Sequence, residues 1–284
     1  MKKIYLSVVL FLSTVAVMAE KPSVEFAYDA GAEVVSAYLW RGQYNGGLSF
    51  QPDLEIGYDG EHTSLRVGAW ASLGATDWKF QTGLDKDEEG LNPNTYFLPE
   101  LDVMANFNFF GAQVGMTHYQ YFVPEAKDNY QLEITAGYNF EDLLGVPLHI
   151  TWNTIVAGDD YNVTEAGEDE EGEMQYNEKR AYSSYLEIGY DHTFESVGIT
   201  LSGAIGMSPW TSDFYYNEGF KVVNLSLRLE KEWEFDACSL SLFAQGSLNP
   251  SLDNAETKPY VNKAGDYKLC EQPLNGAIGL GVWF

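Results

Sequence analysis

Leu274-Asn275-Gly276-Ala277-Ile278-Gly279-Leu280-Gly281-Val282-Trp283-Phe284 decides the fold. Large apolar side chains alternate with small or polar ones along this stretch, and an aromatic residue ends it. A strict period of two puts one residue class on each side of an extended chain. About ten such residues suffice to cross a bilayer as a tilted strand.

Eleven further segments repeat the pattern. Strands are expected over residues 32–41, 49–58, 64–76, 96–109, 112–123, 130–140, 147–157, 181–190, 197–208, 220–230, 237–248 and 274–284. In the sixth, Leu132, Ile134, Ala136 and Tyr138 oppose Gln131, Glu133, Thr135 and Gly137. In the fourth, Leu101, Val103, Ala105 and Phe107 oppose Glu100, Asp102, Asn106 and Asn108. The alternation falters in the first and fifth, where a bulge is expected to switch faces. Connections after even strands are short: 59–63, 110–111, 141–146, 191–196 and 231–236. Several after odd strands are long: 77–95, 158–180, 209–219 and 249–273. Short turns at one end and long loops at the other are the arrangement of outer-membrane barrels. The fold expected is all-β: one antiparallel transmembrane β-barrel of about 12 strands, with short periplasmic turns and long extracellular loops.

The beginning of the chain fits that destination. Lys2 and Lys3 precede an apolar run, Ile4 to Val17, too short to span a bilayer. Val17-Met18-Ala19 then offers a small-residue cleavage site before Glu20. Residues 1–19 are read as a secretory signal peptide and 20–284 as the barrel domain. Removing 1–19 takes two of the 16 basic residues and none of the 42 acidic ones, so the net charge of −26 deepens by two. That charge repels nucleic acid and excludes it as a partner. The 19 Tyr, 16 Phe and 7 Trp match the aromatic girdles of membrane barrels. Phe284, as a terminal aromatic on a membrane strand, resembles the assembly signal of bacterial outer-membrane barrels. The expected partners are outer-membrane lipid and lipopolysaccharide, the barrel assembly machinery, and small solutes or cations.

Two segments carry a family resemblance. Ser36-Ala37-Tyr38-Leu39-Trp40-Arg41-Gly42 matches S-x-Y-x-x-R-G, and Gly68-Ala69-Trp70-Ala71-Ser72 matches G-x-W-x-S. Phe50-Gln51-Pro52-Asp53-Leu54 lies between them. The chain resembles the uncharacterised Gcw_chp-type family of bacterial outer-membrane proteins over residues 33–75. It departs from that pattern at Gln43-Tyr44-Asn45-Gly46-Gly47. The resemblance implies a barrel of porin-like or unassigned function and carries over no catalytic residue.

The alternation assigns Asp53, Glu55, Arg66, Glu100, Asp102, Glu133, Glu187, Arg228 and Glu230 to the lumen, with Arg41 joining them if its strand registers that way. Such charges either pair into a polar plug or line a cation-preferring pathway. A narrow porin-like channel for small solutes or cations is the leading reading. A non-conducting structural or surface-interaction barrel is the alternative, with an enzyme third. No catalytic residues are expected: His149 faces the lumen, His62 and His192 fall in turns, and the face of His118 is open. The acidic loop 158–180 is expected to be solvated, and the aromatics of 209–219 to form an outer girdle. Asp85, Asp87 and Glu89 copy half of a calcium loop, but position 12 is Tyr96 rather than a bidentate Glu. No metal and no cofactor are therefore expected. Cys238 and Cys270 are expected as free thiols near opposite ends, unless the loop carrying Cys270 folds into the lumen.

Overall fold

The computed structural model describes residues 24–74, 100–122, 129–168, 174–215, 217–252, 258–262, 265–269 and 273–284. The expected signal peptide, the Asp85, Asp87 and Glu89 group, and Cys270 lie outside them.

In chain order the first strands are β1 (Glu25–Val35), β2 (Tyr38–Trp40), β3 (Gln43–Gly46), β4 (Ser49–Asp59), β5 (Thr63–Gly74), β6 (Glu100–Phe109), β7 (Ala112–Tyr121), β8 (Tyr130–Asn139) and β9 (Leu148–Gly158). There follow β10 (Tyr161–Glu168), β11 (Met174–Arg180), β12 (Ser184–Phe194), β13 (Ile199–Ser208), β14 (Lys221–Glu234), β15 (Ser239–Leu248), β16 (Lys258–Asn262), β17 (Gly265–Leu269) and β18 (Leu274–Trp283). One helical turn, α1 (Glu141–Leu144), sits between β8 and β9. Twelve strands close into an antiparallel barrel in the order β1-β18-β15-β14-β13-β12-β9-β8-β7-β6-β5-β4. The other six form three separate hairpins, β2–β3, β10–β11 and β16–β17. The chain is thus a transmembrane β-barrel of twelve strands.

Side-chain alternation explains the wall. On β4, Phe50, Leu54, Ile56 and Tyr58 point outward, while Gln51, Asp53 and Glu55 point in. On β18, Ile278 and Leu280 point out, and Ala277, Gly279 and Gly281 line the inside. Large apolar side chains facing out around the ring form a belt that would be unstable in water and is stable against acyl chains. Closure leaves no unpaired edge, as hydrocarbon demands.

The short connections 60–62, 110–111, 140–147, 195–198 and 235–238 share one end with Val24 and Phe284. The opposite end carries 36–48, the β10–β11 and β16–β17 hairpins and 209–220. We call these ends periplasmic and extracellular, following the usual placement of short turns.

Three expectations need correction. The first wall strand is 25–35, not 32–41. It pairs β4 without interruption from Glu25↔Asp59 to Val35↔Ser49. Ser36 then ends it, donating its N–H to the Ile278 carbonyl and accepting from the Ile278 N–H. The expected first strand does shift register, at Tyr38/Leu39 in β2, but the fifth carries no bulge. In the wall the shifts fall at Leu132/Glu133, where β8 meets β9, and at Gly206/Met207, where β13 meets β14. The β4–β5 ladder skips from Phe50↔Leu73 to Asp53↔Trp70, beside Pro52, which has no N–H to donate. His192 lies on β12 rather than in a turn.

Candidate functional site

Residues 36–48 leave the wall at the end of β1, beside Ile278 midway along β18, and return to it at Ser49, opposite Val35. Between these points β2 and β3 form a tight hairpin whose two-residue turn is Arg41-Gly42. Both have positive φ, 48° and 83°, the geometry of the turn that best fits twisted hairpins. Glycine tolerates it freely; for arginine it costs about 1–2 kcal/mol. Something must hold Arg41 there, and its surroundings show what.

The hairpin folds inward. The Arg41 guanidinium donates Nη1 to Glu133 Oε2 at 2.6 Å and Nη2 to Oε1 at 2.8 Å. It also donates to the Tyr215 hydroxyl at 3.1 Å. It lies over the rings of Trp40 at 4.4 Å and Tyr185 at 4.8 Å. The two charged side chains are 12% and 2% exposed. Removing two charges from water costs several kcal/mol each, offset only by good geometry and further hydrogen bonds. Here the pair is bidentate, and Tyr119 donates a further bond to Glu133 Oε1 at 2.9 Å.

The cluster reaches across the ring of strands. Glu133 is on β8, Tyr119 on β7 and Tyr185 on β12, whereas the hairpin springs from β1 and β4. The Tyr185 hydroxyl donates to Glu187 at 2.7 Å and accepts from Asn224 of β14 at 2.9 Å. Ser247 of β15 donates to Asn224 Oδ1. Tyr38 packs on Trp70 of β5, with ring centres 5.3 Å apart. The S-x-Y-x-x-R-G and G-x-W-x-S segments therefore meet in space.

A second inward element completes the cluster. The connection 209–220 closes on itself through paired backbone bonds between Ser212 and Asn217. Tyr215, 1% exposed, stacks on Tyr185, and Phe214 packs against Trp40. Gln43 Nε2 donates to the Phe214 carbonyl at 2.8 Å. Tyr215 and Phe214 therefore do not belong to an outer girdle, because the loop dips into the mouth rather than flaring toward lipid. Trp210 does stay at the surface, beside Trp152.

The loop 158–180 is mostly the β10–β11 hairpin, and its residues Gln175 to Lys179 are exposed. Asp160 at its base is buried, accepting from the Ser183 N–H at 3.0 Å. Burial pushes its carboxyl above the usual range, against the hydrogen bonds from Ser183 and the charge of Arg180. Ser183 and Ser212 hydroxyls, 2.6 Å apart, tie that base to the inward loop.

Nearer the periplasmic end the lumen is lined by charge. Arg66 bonds Asp59, through Nε at 2.9 Å and through Nη2, and lies 3.5 Å from Glu55. Arg228 bonds Glu33 and Glu230, each at 2.9 Å, and its guanidinium sits 3.5 Å above the Phe243 ring. Glu33 and Arg228 stand on β1 and β14, with β18 and β15 between them in the ring, so their bond is a strut across a chord of the lumen. Gly279 makes room for Phe243: a Cβ there would meet the ring at 2.1 Å. His149 lies within 3.8 Å of Glu187 and 3.5 Å of Asp191. Among the described residues, Asp29 and Asp53 make no ion pair.

All nine sequence-assigned lumen residues fall on wall strands, in two groups. Glu100, Asp102, Glu133 and Glu187 neighbour the inward hairpin and its cluster; Tyr38 and Tyr121 are hydrogen-bond partners of Glu100. Asp102, 7% exposed, keeps Oδ1 without a hydrogen bond. Glu55, Arg66, Arg228 and Glu230 form the second group, and Asp53 stands between the two, opposite Trp70 in the β4–β5 ladder. Arg41 joins the first group from the hairpin turn, not from a strand. Sequence reading missed Asp29, because it started the first strand at residue 32, and Glu33, which lies inside that expected strand, because the alternation there left its face open. It missed Asp59 and Asp191, because it ended two strands too early. Continuing the period-two pattern past Tyr28, Ala30 and Ala32 would have found the first two. No spacing signal marked Tyr119, Tyr185 or Tyr215. His118 lies on the outer face, in register with Val103 and Leu132 and stacked on Tyr130. Cys238, in a periplasmic turn, is a free thiol.

The fold and its lumen define the class: a transmembrane β-barrel crossed by an inward hairpin. No family model and no curated protein matches the chain. Among solved structures it is similar to Salmonella typhi OmpF in complex with daunomycin. The identity is 9% over 93% of this chain and 98% of that one, with a TM-score of 0.37. The CymD monoaromatic hydrocarbon channel shares 8% identity over 91% of this chain and 87% of its own, with a TM-score of 0.36. A Pseudomonas aeruginosa FadL homologue shares 9% over 91% and 75%, with a TM-score of 0.32. No lumen residue is carried over from any of them.

Proposed function

We propose that this protein sits in the bacterial outer membrane as a narrow channel for small cations. The observation that carries the reading is the charge balance of the lumen wall. Arg66 and Arg228 are each shared between two carboxylates, while Asp29 and Asp53 make no ion pair among the described residues. A lining with surplus negative charge attracts cations and repels anions at close range. The outward apolar belt would face lipid. Phe284, 64% exposed at the end of β18, would be open to the assembly machinery. Membership of the Gcw_chp-type family is proposed on the S-x-Y-x-x-R-G and G-x-W-x-S segments alone.

A second reading is favoured by the buried Arg41 cluster: a structural barrel with a permanently filled lumen. Single-channel recording in planar bilayers separates the two. Cation-selective current, read from reversal potentials under a salt gradient, supports the channel. Silence from a correctly folded barrel, whether or not its hairpin is present, refutes it.

A further inference from the structure

We propose that the β2–β3 hairpin is a releasable gate, latched by Arg41 on Glu133, and that the barrel conducts when this latch opens. The inference rests on the channel reading above and adds how the channel is controlled.

The wall does not need the hairpin. β1 pairs with β4 along its whole length and with β18 as well, so the barrel is closed without β2 or β3. The hairpin is a separate two-stranded sheet of three and four residues. So short a pair is marginal by itself and depends on what its tip binds. Its contacts with the wall and the 209–220 loop are made by side chains: Arg41 to Glu133 and Tyr215, Gln43 to the Phe214 carbonyl, Tyr38 to Glu100 and Trp70, and Trp40 against Tyr119 and Phe214. Releasing them breaks no wall ladder.

The latch shows signs of having been built. Arg41 is held in a left-handed conformation that arginine disfavours, and such outliers persist only where surroundings over-determine them. Gly42 beside it cannot carry a side chain, because a Cβ would lie 2.2 Å from the Val223 carbonyl. Glu133 sits at the register shift between β8 and β9, and bulges re-aim side chains. Two discrete states follow. With the ion pair made, the tip lies inside the lumen against β7, β8 and β12. With it broken, each charge regains water only if the hairpin withdraws toward the mouth, pivoting where residues 36–37 and 47–48 leave and rejoin the wall. A buried pair of this kind acts as a switch more than as a source of stability.

The test compares three chains in planar bilayers: the native protein, Glu133→Gln, and a chain whose residues 38–46 are replaced by a short Gly-Ser turn. Heat-modifiable migration first establishes that each is a folded barrel. The native protein should be closed for most of the record. Glu133→Gln should raise the conducting fraction at least tenfold, and the hairpin replacement should conduct continuously. Glu133→Gln behaving as native while the replacement conducts would make the hairpin a fixed plug and overturn the latch. A silent replacement, or a native protein as open as the replacement, would overturn the gate altogether. Reversal potentials of the replacement test the parent reading independently: current without cation preference refutes the cation channel and leaves the gate standing.

Discussion

Replacing Arg66 by alanine should make the open channel more cation-selective. Arg66 neutralises part of a wall that holds Asp59 and Glu55 against it and has Asp53 on the same strand. A permeating ion passing about 6 Å from the lost charge, in water-filled space with a dielectric constant near 80, changes energy by about 0.7 kcal/mol. A cation gains that amount and an anion loses it. Their ratio therefore shifts by about 1.4 kcal/mol, about tenfold in relative permeability. The Debye length at 0.1 M salt is about 10 Å, so screening over the ion's approach leaves roughly half of that energy, about fourfold in relative permeability. At 1 M it shrinks to about 3 Å and the effect should vanish. The assay is the reversal potential under a KCl gradient, on the hairpin-replaced background so that both proteins conduct. An unchanged permeability ratio at 0.1 M would refute the reasoning, because it would mean that ions do not pass the wall carrying Arg66. A change that persists undiminished at 1 M would point to altered pore shape instead of charge.

Three other substitutions test separate parts of the structure. Phe284→Ser should lower the yield of inserted barrel severalfold at unchanged synthesis, measured by heat-modifiability of membrane fractions; an equal yield would show that this residue is not an assembly signal. Gly279→Val should destabilise the barrel by about 1–3 kcal/mol by pushing Phe243 from beneath Arg228, read as a lower denaturant midpoint in lipid vesicles; native stability would mean that the ring has space to move. Asp160→Asn should leave stability equal or higher at neutral pH and flatten its pH dependence. The folded carboxyl holds its proton more tightly than the unfolded one, so the native protein should lose stability as pH rises from the ordinary carboxylate range through the raised value. A native protein that instead gains stability over that window, with Asp160→Asn matching it, would refute the assignment.

The wall was legible because it obeys a local rule. Membrane strands alternate with a period of two, and each strand announces its faces by itself. Leu101 and Val103 against Asp102, or Ile278 and Leu280 against Gly279, need no partner to be read. Loop lengths then set the handedness of the two ends. The errors came where local pattern underdetermines register. Tyr38, Leu39 and Trp40 continue an apolar run from Val34 and Val35, and nothing local says that Ser36 ends the ladder on Ile278. Glu133 was readable as a lumen residue, and Arg41 as a conditional one, yet their meeting was not. They stand 92 positions apart and touch only because closure of the ring brings β8 within reach of a hairpin rooted between β1 and β4. The same holds for Tyr215, whose aromatic loop suited a girdle equally well by composition. Alternation along single strands was enough to specify a barrel and to say which charges face inward. Whether those charges line an open space or clasp an inward hairpin is a property of long-range approach, which only the closed ring of twelve strands decides.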